Sequence, residues 1–204
     1  MGGNIASTYS TGQSLNTDGI YELIFNALTT SPILSPYNDD GSLRVTIAGP
    51  GLLTQPNWLR VLNERINVNK TLRLLANGYA EVNFLRDFRF KTAIGTDLNT
   101  SRTRSFNPST TGRGSIFAPP PQRAGGSYGA GFTTSWLSEN TLTYSKKIND
   151  HSIDVLVGYT AQKVSDESVS ANGTDYPDDL ISWLDAAAKI GRAHVWTPVT
   201  EPDL

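Results

Sequence analysis

Residues 71–99 decide the fold: they read TLRLLANGYAEVNF, then the tight turn LRD, then FRFKTAIGTDLN. In the first arm every second residue is apolar or small, and the residues between them are mostly polar. The apolar set is Leu72, Leu74, Ala76, Gly78, Ala80, Val82 and Phe84, and the polar set is Arg73, Asn77, Tyr79, Glu81 and Asn83, with Leu75 as the exception. This period-two alternation predicts a β-strand, because successive side chains of a strand point to opposite faces.

The second arm of this hairpin alternates in the same way. Its apolar residues are Phe88, Phe90, Ile94 and Leu98, and its polar residues are Arg89, Lys91, Asp97 and Asn99. A soluble hairpin usually needs about 5–6 residues per strand, whereas a tilted membrane-spanning strand needs about 9–11. Both arms belong to the longer class, which favours a strand pair built to cross a membrane.

A second hairpin follows, with residues 135–148 (SWLSENTLTYSKKI), a turn at Asn149-Asp150, and residues 151–164 (HSIDVLVGYTAQKV). Tight turns at one end and long connections at the other are typical of outer-membrane barrels. Trp136 and Tyr159 fit either an aromatic girdle at the membrane interface or ordinary cross-strand packing. We expect Leu72, Leu74, Val82, Phe90, Ile94, Val155 and Val157 to face lipid, and Arg73, Tyr79, Glu81, Arg89, Lys91 and Asp97 to face a lumen.

Composition excludes several classes of function. The chain has 204 residues, a formal charge of -2 and a pI near 5.7, so its bulk charge predicts no basic surface for nucleic acid or anionic lipid. Without cysteine, disulfides and Cys-based metal sites are excluded. The two histidines, His151 and His194, are too far apart to suggest a metal cluster. The amino terminus lacks the basic and apolar regions of a signal peptide, and we interpret Met1 as not being the true start.

The remaining segments predict short helices and long loops. Residues 19–30 show helical spacing after a cap at Asp18, residues 57–62 predict one helical turn, residues 100–134 predict a long polar loop, and residues 168–188 predict a loop with a short helix from Asp178.

Three candidate sites lie in these segments, each beside a plainer interpretation. Arg102, Arg104, Arg113 and Arg123 either bind an anion or form a solvated face; Asp39 and Asp40 either ligate calcium or form a turn; and Tyr37, Trp58 and Tyr128 are candidates for stacking on sugars.

Four stretches carry a resemblance to a known family. They are TSPILSPYNDDGS, RLLANGYAEVNFLRDFRFKTAIGTDLNTSRTRSFNPS, SWLSENTLTYSKKINDHSIDVLVGYTAQK and SVSANGTDYPDDLIS, in this order within residues 19–187. Together they resemble the SusC/RagA class of TonB-linked outer membrane receptors from Bacteroidota-type bacteria.

The resemblance implies an all-β fold, in which long antiparallel hairpins form a segment of a large transmembrane β-barrel and long outer loops carry short helices. It also implies a location in the cell outer membrane and the import of glycans or peptides. The implied partners are a SusD-like surface lipoprotein, outer membrane lipid and the TonB complex, which would act through parts of the protein absent here. No cofactor and no nucleic acid are implied.

The chain divides into two parts. Residues 1–188 contain about four strands and three outer loops, with no plug domain or TonB box, and we interpret them as an internal segment of a receptor barrel. Residues 189–204 begin KIGRAHVWTPVT, which resembles the translation of a sequencing-library adapter apart from Trp196. We interpret them as a non-native read-through tail; the alternative is a genuine tail of unusual composition.

The two other classes of function are a soluble binding domain and an enzyme. A soluble all-β carbohydrate-binding or adhesin domain would also have strands with one wet face, but its apolar faces would meet each other in a sandwich. An enzyme is the weakest interpretation, because no G-x-S-x-G, H-E-x-x-H or P-loop motif is present. The sequence therefore predicts no catalytic, cofactor-binding or metal-binding residues and does not identify the residues that bind substrate.

Overall fold

The computed structural model describes residues 1–15, 23–52, 54–111 and 121–191, and the backbone of 194–196. Its main feature is one antiparallel sheet in which five long strands are hydrogen-bonded in the order β1-β4-β5-β6-β7. In chain order the elements are β1 (Gly2–Gln13), α1 (Leu23–Thr29), β2 (Thr46–Ile47), β3 (Gln55–Pro56), α2 (Trp58–Glu64), β4 (Ile66–Phe84), β5 (Phe88–Asn107), β6 (Gly125–Ile148), β7 (His151–Thr174), a 3₁₀ turn (Leu184–Ala186), β8 (Lys189–Ile190) and β9 (His194–Trp196). β1 and β7 do not pair with each other, so the sheet is open.

The strand register gives the sheet two chemically different faces. Val82 lies opposite Phe90, Phe90 opposite Leu142, and Leu142 opposite Val157. Directly opposed residues of an antiparallel pair share a face, so these four side chains project from the same side. We call this side the apolar face; it contains all seven residues predicted to face lipid: Leu72, Leu74, Val82, Phe90, Ile94, Val155 and Val157. The opposite side is called the polar face.

Two tight turns join the long strands at one end of the sheet, called here the turn end. Leu85 and Arg86 have positive φ between β4 and β5, and Asn149 has positive φ between β6 and β7. Left-handed backbone is uncommon outside glycine, but asparagine is enriched there and tight hairpin turns require it. Both predicted turns, and the predicted pairing of β5 with β6, are confirmed.

At the opposite end of the sheet, called the loop end, the strands are longer than the sequence predicts. Residues 100–107 and 125–134, predicted as loop, are strand, because β5 continues to Asn107 and β6 begins at Gly125. Likewise β7 continues through residues 168–174, and the short helix predicted from Asp178 is a 3₁₀ turn that begins at Leu184. These segments are rich in Ser, Thr and Gly and have little apolar alternation, yet cross-strand hydrogen bonding extends through them.

The helices agree better with prediction. α1 lies within residues 19–30, while Asp18 and Ile20 fall outside the described residues. The helical turn expected at residues 57–62 is confirmed as α2. β8 and β9 both pair with β7, and the non-native origin of residues 189–204 stays a prediction.

Buried apolar side chains in the described part of the chain are concentrated at the loop end. They are Ile47, Val61, Phe106 and Ala124. Asn57 organises one part of this core: its side-chain oxygen accepts from Leu59 N, and its Nδ2 donates to the carbonyls of Pro36 and Arg44, each at 2.8 Å. Asn57 therefore both caps α2 and ties it to the preceding loop.

The apolar face, by contrast, is not covered by protein in the described residues. Ile94 is 63% exposed and Val157 is 62% exposed, although both lie near the middle of the sheet. None of the described helices is long and apolar enough to cross a membrane.

Replacement of Asn57 tests the organisation of the loop end. We expect Asn57→Ala to destabilise this region by about 2 kcal/mol, because a helix cap is lost and the half-buried carbonyls of Pro36 and Arg44 lose the hydrogen bonds from the Asn57 amide. Amide hydrogen exchange of residues 31–65 in the detergent-solubilised chain should accelerate. Asn83→Ala, at an exposed strand position, should leave that exchange unchanged; slow exchange in both variants would contradict the role of Asn57.

Candidate functional site on the polar face

The polar face carries an open groove of about 500 Å³ across β4, β5, β6 and β7. Gly95 lies opposite Asn77 on one side and Leu137 on the other, so the floor is bare backbone between two side chains. The residues around the groove that share the polar face are of mixed chemistry, and they are Leu75, Asn77, Tyr79, Lys91, Ala93, Gly95, Asp97, Ser135, Leu137, Glu139 and Gln162.

Charged residues of the polar face pair across the strands. Arg73 holds Asp97 in a two-pronged contact, with Nε to Oδ1 at 3.0 Å and Nη2 to Oδ2 at 2.6 Å. Arg89 Nε lies 3.6 Å from Glu81 Oε1. Two hydrogen bonds in a fork fix the Asp97 carboxylate in one orientation, since the guanidinium is planar.

Lys91 introduces a cation into the groove itself. Its Nζ lies 5.5 Å from the centroid of the Tyr79 ring, within the range of a cation–π contact. Glu139 and Gln162 line the same groove from β6 and β7. The groove thus offers an aromatic ring, a cation, a carboxylate and an amide beside Leu75 and Leu137. Such a surface suits a neutral or zwitterionic ligand with both polar and apolar parts.

Three residues that line the groove, Tyr79, Lys91 and Asp97, were predicted from the sequence to face a lumen, but no groove was predicted. All six residues predicted to face a lumen share the polar face: Arg73, Tyr79, Glu81, Arg89, Lys91 and Asp97. The contributions of Ser135, Leu137, Glu139 and Gln162 were missed. Strand alternation was the signal that could have found them, because odd-numbered residues of β6 and even-numbered residues of β7 share the polar face. Leu137, for example, lies directly opposite Gln162.

The other predicted candidates do not form one site. Tyr128 lies on β6 on the side of the apolar face, Tyr37 lies in the connection between α1 and β2, and half-buried Trp58 is the first residue of α2. The structure gives no contact that brings the three together for sugar stacking. Asp40 accepts hydrogen bonds from the backbone and hydroxyl of Ser42, as in a turn. Within the described residues no group of three acidic, His or Cys side chains is placed to hold a metal ion.

The four arginines are also separated. Arg102 and Arg104 lie on β5, Arg113 falls outside the described residues, and Arg123 Nη1 lies 2.9 Å from Asp175 Oδ1. A hydrogen bond from Lys189 has the largest effect and lowers the pKa of Asp175; burial, the next largest effect, opposes it, and the nearby charge of Arg123 lowers the pKa further. The Asp175 carboxylate therefore stays ionised to lower pH than a free aspartate, and its contacts weaken only as pH falls through the lowered pKa.

Neighbouring Tyr176 completes the packing at the loop end. Its ring meets the buried Phe106 edge-on, with centroids 5.0 Å apart. Burial raises the pKa of the Tyr176 hydroxyl. A Cβ on Gly126 would lie 2.4 Å from that hydroxyl, so a residue without a side chain is needed there.

Comparisons with known proteins give the same architecture. No family model matches the chain. A TonB-dependent receptor, P3, from Formosa agariphila is 28% identical over 162 residues, which cover 79% of this chain and 15% of that receptor. The RagAB peptide transporter superposes with a TM-score of 0.71 at 16% identity, covering 96% of this chain and 22% of the solved chain. The RagAB peptide importer in its open-open state gives a TM-score of 0.70 over the same shares.

An open antiparallel sheet with long strands, one apolar and one polar face, and this superposition define a segment of a transmembrane β-barrel wall. The chain spans about 15% of the length of its curated relative. Sequence likeness and fold together support a segment of a SusC/RagA-like TonB-dependent receptor, and the resemblance in the sequence is confirmed.

Adjacent residues of β6 test which face meets water. The chain has no cysteine, so single cysteines can be introduced without background. We expect Glu139→Cys to react with a water-soluble thiol reagent in membranes, because Glu139 lines the groove, and Ser138→Cys on the apolar face to be protected by lipid. Mass spectrometry measures the labelled fraction. Equal labelling at both positions would contradict the assignment of the faces.

Proposed function

We propose that this segment forms wall and outer loops of a TonB-dependent importer in the outer membrane. Its substrates are glycans or peptides, which a SusD-like surface lipoprotein delivers at the loop end. The polar face lines the lumen, and the groove around Gly95 borders the path that the substrate takes. The segment performs no catalysis; the residues described act by contact with lipid, substrate and neighbouring parts of the receptor.

One observation carries the proposal: the apolar side chains of both hairpins lie on the same side of a single sheet and are exposed there. Water cannot be the solvent for so long an apolar strip without association of the chain, whereas hydrocarbon can. The relatives add the class of activity, since the matched structures are described as a peptide transporter or importer.

The partner is argued from the loop end. There the described loops hold several exposed apolar side chains, among them Ile33, Leu180 and Trp183, at 86%, 89% and 63% exposure. These residues stand beyond the apolar strip of the strands. A lipoprotein that closes over the loop end would cover side chains of this kind.

The soluble carbohydrate-binding or adhesin domain is disfavoured by the same sheet. In a sandwich the apolar faces of two sheets pack together at about 10 Å. Here the two hairpins are neighbours in one sheet, and no second large sheet lies against them in the described residues.

A charge placed on the apolar face tests the membrane location. In the receptor that carries this segment, Ile94→Arg should reduce outer-membrane assembly, at a cost of about 2–4 kcal/mol, because the guanidinium enters hydrocarbon. Lys91→Leu, three residues away on the polar face, should barely affect assembly. Folded receptor is measured by its shift on unheated gels, and equal tolerance of both changes would refute the proposed membrane location.

A bulky residue on the groove floor tests the transport path. Gly95→Trp should slow substrate uptake, because its indole would fill the groove, where a Cβ meets only atoms at 3.9 Å and can be accommodated. Ile94→Trp, at the adjacent position on the apolar face, should leave uptake unchanged since lipid accommodates the ring. Uptake of labelled peptide or oligosaccharide by cells is the measurement. If Gly95→Trp folds and transports normally, the groove does not border the path.

A further inference from the structure

Three cations gather on the apolar face at the loop end. Lys70 on β4 lies directly opposite Arg102 on β5. Arg104, two residues further along β5, projects from the same face. Lys70 and Arg102 are exposed, and Arg104 is half-buried. These three residues are called the cation cluster.

The cluster lacks internal compensation. Like charges directly opposite each other in an antiparallel pair destabilise the sheet. Within the described part of the chain neither Lys70 nor Arg102 forms an ion pair. On the strands of the same face the nearest carboxylate by register is Glu167, which lies on β7, two strands away from β5. The carboxylates of Asp97 and Asp166 project from the polar face.

Trp183 fixes one member of the cluster. Its ring centroid lies 4.3 Å from Cζ of Arg104, so the guanidinium is stacked on the indole. Stacking holds the planar group in place while its N–H donors at the edge stay available. A guanidinium that is held in place with its N–H donors available is suited to bind an anion.

The position of the cluster identifies the anion. On β4 the exposed apolar run ends at Leu72, and Lys70 is the next residue of that face toward the loop end; Val68, beyond it, is half-buried. On β5 the run ends at Leu98, Arg102 lies two positions further along the same face, and Phe106, beyond it, is buried. On β7 the run ends at Ala161, and Lys163 is the next residue on that face. The cations thus mark the border where hydrocarbon gives way to lipid headgroups, on the side turned away from the lumen.

We propose that Lys70, Arg102 and Arg104 bind the phosphate groups of an anionic lipid headgroup in the outer leaflet. This inference rests on the proposed function, because it requires the apolar face to contact lipid. Arg102 and Arg104 supply paired N–H donors that match a phosphate, and Lys70 supplies a compact charge beside them. The bound phosphate removes the repulsion between Lys70 and Arg102, so lipid also stabilises the pairing of β4 with β5.

Lipid retention tests the proposal in the complete receptor that carries this segment. The receptor is mixed in detergent with lipid A bearing its phosphates or with dephosphorylated lipid A, and native mass spectrometry gives the retained fraction of each. The parent receptor should prefer the phosphorylated form. K70Q/R102Q should lower that preference about tenfold or more, since each cation near a lipid surface contributes appreciably to binding.

Two further variants make the result decisive. R86Q/K147Q removes two cations at the turn end and should leave the preference unchanged. Arg102→Glu turns the repulsive pair into an attractive one, so it should fold well and still lose the preference. Undiminished preference in either Arg102 variant, or equal retention of both lipid forms by the parent, would overturn the proposal.

A third arm separates lipid from free anion. Inorganic phosphate at millimolar concentration should not displace the lipid, because it lacks the acyl chains that contact the apolar face. Displacement by phosphate alone would show a soluble anion site and overturn the assignment to lipid. Failure of the proposed function would be seen in the assembly experiment, in which the Ile94→Arg receptor would assemble normally.

Discussion

The structure depends on one constraint: the register of four strand interfaces keeps the alternating apolar sets of both hairpins on one side, with Leu75 and Leu137 among the exceptions on the polar face. A slip of one residue at any interface would move a whole strand's apolar set to the opposite face. The two tight turns hold β4 to β5 and β6 to β7, and the β5–β6 pairing joins the two hairpins in phase. Lipid contact, the lumenal groove and the cation cluster all follow from this shared phase.

The ion pairs of the polar face contribute little to holding the sheet together. Arg73 is 54% exposed and Asp97 is 30% exposed, and pairs with such access to water are usually worth less than about 1 kcal/mol. Backbone hydrogen bonds between the strands and burial of the apolar face in lipid carry the stability instead. Charges on the polar face can therefore change without loss of the fold.

Much of the fold could be predicted from sequence where one face is apolar. Between Leu72 and Leu98, and again between Ile153 and Ala161, alternation indicated both the strands and their faces. The same reasoning failed for residues 100–107 and 125–134, because strands that leave the membrane have no apolar face and their Ser, Thr and Gly residues resemble a loop. The groove itself was not predicted, although Tyr79, Lys91 and Asp97 were expected on one face. The registers of β5 with β6 and of β6 with β7, which alternation alone does not define, set Glu139 and Gln162 beside them.

The strands extend beyond the apolar strip, and this affects how such a receptor can diversify. On β6 the seven residues from Gly125 to Gly131 extend the wall by about 23 Å along the strand beyond Phe132. In the proposed importer these strand ends form a rim beyond the apolar strip, and the connections between strands are attached to this rim rather than to the membrane-spanning wall. Insertions in the connection between β1 and β4 alter what the rim presents to passing molecules without shifting any strand in the bilayer. Recognition and membrane integrity can therefore evolve separately in one continuous sheet.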